Sequence, residues 1–226
     1  DDCYRMYYRC SGYGEDGKED ILQEQTAYAE SRDGINWVKP ELGLHEFDGS
    51  TKNNLILPDG DERRISHNFM VFKDTRAGVP DDERYKGVGG SRQHGLFRLV
   101  SADGIRWRMF SDEPIFFGYP LDTVNVAMWS EHEQCYVAYI RTWTDTSGGE
   151  EFRGYRTISR ATSPDFLNWT EPERMDFGAT PDEHIYTNGT HPYFRAPHIY
   201  IALPFRYVDD QTALTEAEMD AWNFDL

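Results

Sequence analysis

The chain has 226 residues, 38% of them hydrophobic, 15% aromatic and 28% charged, with a formal net charge of −17. That charge argues against nucleic acid and anionic membrane surfaces as partners, though it leaves room for a locally basic pocket. No run approaches a membrane-spanning length, no signal peptide is visible, and three cysteines are too few for a disulfide framework.

Taken in order, Tyr4–Arg9 reads as a strand and the Gly- and charge-rich residues 11–20 as a loop. Cys3 and Cys10 flank that strand and cannot bridge within it; no Cys/His spacing suits zinc, and neither metal nor cofactor is expected. A short β-rich run, Gln25–Ala29, leads into Ser31-Arg32-Asp33-Gly34-Ile35-Asn36-Trp37. The motif returns as Ser101-Ala102-Asp103-Gly104-Ile105-Arg106-Trp107, and more loosely as Ser163-Pro164-Asp165-Phe166-Leu167-Asn168-Trp169. Asp-Gly supplies the positive φ of a tight turn, the Asp carboxylate can take turn amides, and the indole gives each repeat an apolar anchor.

Residues 43–62 read as a crossing loop. Four strands follow: 67–72, the Gly-rich 85–90, 95–102, and one running from Trp107 to Phe117. The order repeats with 124–129, a Ser-Glu-His-Glu turn, 135–144, 155–161 and a strand from Trp169. A further unit opens with 188–194 and 199–207, after which Thr215-Glu216-Ala217-Glu218 has the form of a helix capping box. Glu131, His132 and Glu133 would splay to opposite faces of a tight turn and do not suggest a metal site.

Antiparallel four-stranded units recurring every 60–70 residues predict an all-β fold, a β-propeller, because a sandwich would not reproduce one hairpin at a steady interval. The expected division is a first-blade remnant over 1–47, blades over 63–118 and 121–178, and the start of a fourth over 183–226. With about three and a half blades present, the chain reads as a stretch of a longer propeller. The Ser-x-Asp-Gly-x-x-Trp rhythm, with second strands such as Tyr4-Arg5-Met6-Tyr7-Tyr8, resembles the five-bladed β-propeller glycoside hydrolases: the invertase, levanase, arabinanase and xylosidase group. That resemblance implies a funnel at the propeller axis, lined from the starts of the inner strands, and a carbohydrate substrate in bacterial carbohydrate metabolism. It also implies one carboxylate from each of several blades.

Glycoside hydrolysis needs two carboxyl groups across the scissile bond. Among the inner-strand starts, Asp122 is the first acid candidate, expected to have its pKa raised by partial burial, and Glu183 the second. The alternative for each is an ordinary turn or surface acid. The resemblance would place acids where this chain has His67-Asn68 and Asn125. His67, Asn68, Asn125, Asn188 and His191 are therefore the candidate sugar-binding residues, with a purely structural role as the alternative for each. Arg9, Arg141 and Arg206 recur on second strands and are expected away from the axis, holding neighbouring blades together, with capture of a sugar carboxylate as the other reading. Trp129 and Trp143 are expected in the core. A non-catalytic glycan-binding propeller, and less so a protein-interaction propeller, stand as alternatives to hydrolysis.

Overall fold

The computed structural model describes residues 3–13, 19–58, 60–145 and 152–208. It is all-β, a partial β-propeller of antiparallel sheets, with a single 3-10 turn over Asp81–Glu83 among the described residues. The first sheet holds β1 (Tyr4–Tyr13), β2 (Glu19–Ser31) and β3 (Leu55–Leu57). The second holds β4 (Met70–Lys73), β5 (Tyr85–Ser91), β6 (Gly95–Ser101) and β7 (Arg108–Met109), in sequence order. The third repeats this with β8 (Val126–Ser130), β9 (Cys135–Asp145), β10 (Arg153–Ser163) and β11 (Glu173–Arg174). Two small sheets follow: β12 (His184–Thr187) pairs with β15 (Phe205–Tyr207), and β13 (His191–Tyr193) with β14 (Ala196–Ile201).

Several boundaries differ from expectation. Residues 11–13 and 19–20 extend the first hairpin, with Gly12 opposite Asp20, where a loop was expected. The crossing segment contains β3, whose three apolar residues are all buried against β2. The strand expected from Trp107 shrinks to β7 plus a lone bridge between Leu96 and Phe116, because Pro114 and Ser-Asp-Glu interrupt the ladder. Inner strands start late: residues 65–68 are a turn, with Asn68 at φ 51°, and β4 begins at Met70. Asn188–Thr190 likewise precede β13 instead of belonging to it. The capping-box sequence at 215–218 lies outside the described residues.

The repeated turn has one construction in all three copies. The Ser31 hydroxyl accepts from the Asp33 and Gly34 amides, while Asp33 Oδ1 accepts from Ile35 N at 2.9 Å and Asn36 N at 2.8 Å. Ser101/Asp103 repeats all four bonds, and Ser163/Asp165 repeats those from the Asp165, Leu167 and Asn168 amides. The amide donors hold the three carboxyls well below the usual carboxylate range; at Asp165, burial opposes this and loses, leaving a pKa of about 2. Gly34 and Gly104 both sit at φ 75°. In the third copy Phe166 takes that left-handed position at φ 66°, and its ring is fully buried against Phe72, Phe110, Tyr136 and Trp169. Burial of the ring offsets a backbone conformation that costs roughly 1–2 kcal/mol for an L-residue.

Packing between sheets makes the core. One cluster joins the first and second sheets through Tyr28, Ile56, Ile65, Phe69, Phe97 and Leu99, with Trp107 packed on it edge-to-face against Phe69 at 4.9 Å. Gly87 and Gly89 let Phe69 and the Ile65 backbone lie directly on β5, as its Gly-rich sequence suggests. A larger cluster joins the second and third sheets around Val88, Leu121, Val126, Tyr136 and Ile140, and β4 runs alongside β8. Polar links cross the same seams. Arg5 donates to the Asp103 carbonyl, and Arg98 donates to the Phe166 and Leu167 carbonyls at 3.2 and 3.0 Å. The Tyr136 hydroxyl donates to Asp74 at 2.6 Å, and Asp74 also pairs with the fully buried Lys86 at 3.0 Å.

Candidate functional site

A cleft of about 450 Å³ opens beside the start of β8. Its walls are Asp122 and Pro120 from the loop before β8, Arg141 and Trp143 from β9, and Arg153 and Arg156 from β10. Tyr186 of β12, Arg92 and Phe152 complete it. Arg141 and Trp143 share a face because side chains alternate along a strand. Arg153 and Arg156 share one despite their odd spacing because β10 carries an extra residue between them: Arg153 lies opposite Asp145, and Arg156 opposite Trp143.

The loop that carries Asp122 is held from inside. Buried Asn125 donates its amide to the Leu121 and Thr123 carbonyls, both at 3.0 Å, and accepts the Arg141 backbone N–H at 3.1 Å. Its hydrogen-bonding capacity is thus taken up by backbone, and it positions Asp122 without reaching the cleft. Thr123 in turn donates to the Tyr186 carbonyl at 2.9 Å, which ties the roof of the cleft to the same loop.

Asp122 is exposed, and its Oδ1 lies 2.7 Å from His67 Nε2. His67 is buried in the turn before β4, and its other nitrogen is bonded to Glu24 of β2. Glu24 is only 3% exposed and also pairs with Arg9 at 2.5 Å and Arg64 at 2.6 Å. Three sheets therefore meet in one chain, Glu24–His67–Asp122. Burial opposes a charge on His67, but hydrogen bonds to Asp122 and Glu24 outweigh it and raise the imidazole pKa. The hydrogen bond from His67 holds the Asp122 carboxyl below its ordinary value, against burial. Glu24 is pushed up by burial, yet His67 and Arg64 bring it down overall. The expectation that burial raises the Asp122 pKa is therefore corrected: an imidazolium partner fixes this carboxyl in its ionised form.

The other residues singled out by sequence are dispersed. The Asn68 amide lies 2.9 Å from His67 Nε2 and joins this cluster. Asn188 is buried, donating to the Tyr139 carbonyl at 3.3 Å and accepting from Thr190 N at 3.0 Å, so it serves the backbone as Asn125 does. His191 is exposed on β13. Glu183 is exposed and paired with Arg206 at 2.8 Å; neither Glu183 nor His191 lines the cleft. Arg141 was expected away from the site and instead forms its wall, with Nε donating to the Pro120 carbonyl at 2.7 Å. Trp143 was expected in the core and lines the cleft as well; Trp129 does pack on core Tyr136 at 4.9 Å. Sequence reasoning missed Glu24, although an acid one position before the strand run Gln25–Ala29 was a signal.

No protein-family model and no curated protein matches this sequence. Among solved structures, an N-acetylgalactosamine deacetylase from F. plautii, in complex with blood group B trisaccharide, is similar at 14% identity with a TM-score of 0.49. The match covers 86% of this chain and 56% of that one, so the chain spans little more than half the length of that protein.

Proposed function

We propose that this chain is part of a carbohydrate-active propeller that hydrolyses O-glycosidic bonds, with Asp122 as its ionised carboxylate and its sheets as successive blades. The observation that carries the reading is the Glu24–His67–Asp122 chain, which ends in an exposed carboxylate on the wall of a polar, aromatic-bearing cleft. A carboxylate kept ionised by an imidazolium suits activation of water or stabilisation of the positive charge that develops at the anomeric carbon. His67 holds a proton at Nε2 against Asp122, and Glu24 stabilises that imidazolium from Nδ1. Trp143 and Tyr186 offer apolar faces for a sugar ring.

One observation favours a binding module as the second reading: Asp122 is the sole carboxylate among the described residues that line the cleft. A glycan panel incubated with the chain and with Asp122→Asn separates the two. Cleavage by the parent that falls at least about 100-fold in Asp122→Asn supports hydrolysis, the size typical of a lost general acid–base group. Cleavage unchanged in Asp122→Asn removes Asp122 from the mechanism. Retention of glycans without cleavage supports the binding module.

A further inference from the structure

The cleft gathers arginines on a strongly acidic chain. Among the described residues, nine line it and four of these are arginines, against one aspartate, although Asp and Glu outnumber Lys and Arg by 40 to 23 overall. Two of these arginines carry the argument. Arg141 is 6% exposed, yet no carboxylate comes within 4 Å of it among the described residues. Its Nε is committed to the Pro120 carbonyl, and its guanidinium lies 5.7 Å from the Tyr186 ring centre. Burial lowers its pKa, the cost expected of a cation without a close counter-charge.

Arg156 is the second. It is stacked between the rings of Trp143 and Tyr207, each 4.9 Å from its guanidinium carbon, and it too has no carboxylate partner among the described residues. Its Nη1 lies 3.3 Å from His184 Nδ1. Aromatic stacking fixes the plane of the fork without itself supplying a formal counter-charge. Elsewhere the chain pairs its arginines readily: Arg63 with Asp61, Arg160 with Glu133, Arg174 with Asp182 and Arg206 with Glu183. Asp122 offsets part of the positive potential, but its own charge is already met by His67.

We propose that Arg141 and Arg156 form a subsite for an anionic substituent on the glycan, a uronate carboxylate or a sulfate ester. This rests on the carbohydrate reading above and narrows its substrate class to acidic sugars. A planar guanidinium can take two oxygens of either anion, and two preoriented forks bind it more strongly than flexible, solvated lysines would.

The test is retention of a glycan panel by the intact chain. The panel holds oligosaccharides bearing uronic acids, their O-sulfated counterparts, and neutral oligosaccharides of the same linkages. The expected result is retention of acidic members, weakening as salt rises, with affinity about 10- to 100-fold lower in Arg156→Gln, the range for one hydrogen-bonded charge. Retention confined to uronates assigns a carboxylate, and retention confined to sulfated members assigns a sulfate. Arg141→Lys, which removes the fork but keeps the charge and an ammonium able to donate to the Pro120 carbonyl in place of Nε, serves as the second variant because Arg141→Gln gives up the charge as well. It is expected to weaken acidic members while its melting temperature stays near that of the parent. Equal retention of neutral members overturns the proposal, as does acidic binding unchanged in folded Arg156→Gln and Arg141→Lys. Retention of neutral members alone leaves the carbohydrate reading standing and removes this one. Retention of no glycan removes both.

Discussion

Replacing His67 by Gln should destabilise the chain in a pH-dependent way whose direction follows from the site. The imidazole donates one bond to Glu24, which is almost fully buried, and one to Asp122, whose side chain is 65% exposed. The buried, charge-assisted bond is worth roughly 1.5–3 kcal/mol, and the exposed pair at most about 1 kcal/mol after solvent screening. Glu24 keeps Arg9 and Arg64, so the loss stays below the 3–5 kcal/mol of a fully orphaned buried charge. About 2–3 kcal/mol is expected near pH 6, or about 4–12 °C in melting temperature for a chain of this size. The folded pKa of His67 is raised, so this contribution is complete below the unfolded value near 6.5 and disappears as pH climbs through the folded one. Glu24 and Asp122 have lowered pKa values, so their share is present above their unfolded values and fades as pH falls toward the folded ones. Urea melts of both proteins from pH 5 to 9 should therefore show a difference largest near pH 5–6 and shrinking on the alkaline side. A difference that is flat, or that grows with pH, would refute the charged-imidazole account.

Four further outcomes are expected. Gly104→Ala should cost more than Gly34→Ala: both pay the left-handed backbone penalty of about 1–2 kcal/mol, but at 104 a Cβ meets Tyr7 Oη at 2.6 Å, while at 34 it meets only the Tyr4 ring at 3.9 Å. Equal denaturation midpoints would contradict the close approach. Trp107→Ala should lose about 3 kcal/mol through its contacts with Phe69 and Tyr7, and a loss below about 1 kcal/mol in denaturant melts would mean the indole is decoration. Lys86→Met should cost about 3–5 kcal/mol by taking the cation from buried Asp74, and a neutral result by calorimetry would show that the Tyr136 hydroxyl and the Arg76 amide are enough to hold that carboxylate. Asn125→Ala should lower stability by about 2 kcal/mol, because three backbone bonds go; unchanged thermal stability with weakened glycan retention would return Asn125 to the binding residues.

The fold was legible because its signal is periodic. Three copies of one turn, each with Ser, Asp and a following Trp, mark where a long strand of each sheet ends, and in all three the Asp amide donates to the Ser hydroxyl and the Asp carboxylate takes two following amides. Boundaries were less legible where pairing depends on another segment: β3 was hidden in a polar stretch because its partner is β2, with paired residues 28 or more positions apart. At the site, Asp122, His67 and Asn68 could be placed because they precede inner strands. Asn125 and Asn188 share that position in sequence, yet their amides are taken up by backbone groups of their own loops and of β9. Glu24 and Arg141 come from strands, and whether a strand side chain faces a cleft or a neighbouring sheet depends on register and sheet packing, which a single sequence leaves open.

The arginine bonds across the sheet seams give the assembly an order in time as well as in space. Arg5 of the first sheet holds the turn of the second, and Arg98 of the second holds the turn of the third. In each case the donor is synthesised 68 or more positions before its acceptor. A chain growing from its N-terminus therefore completes the grip before the part to be gripped exists, so each finished sheet is a template that captures the next turn as it emerges. Unfolding has no such direction, because the coupling between neighbours is reciprocal at equilibrium. Damage to either arginine should accordingly be felt more in the yield of folded protein during synthesis than in the melting of protein already made.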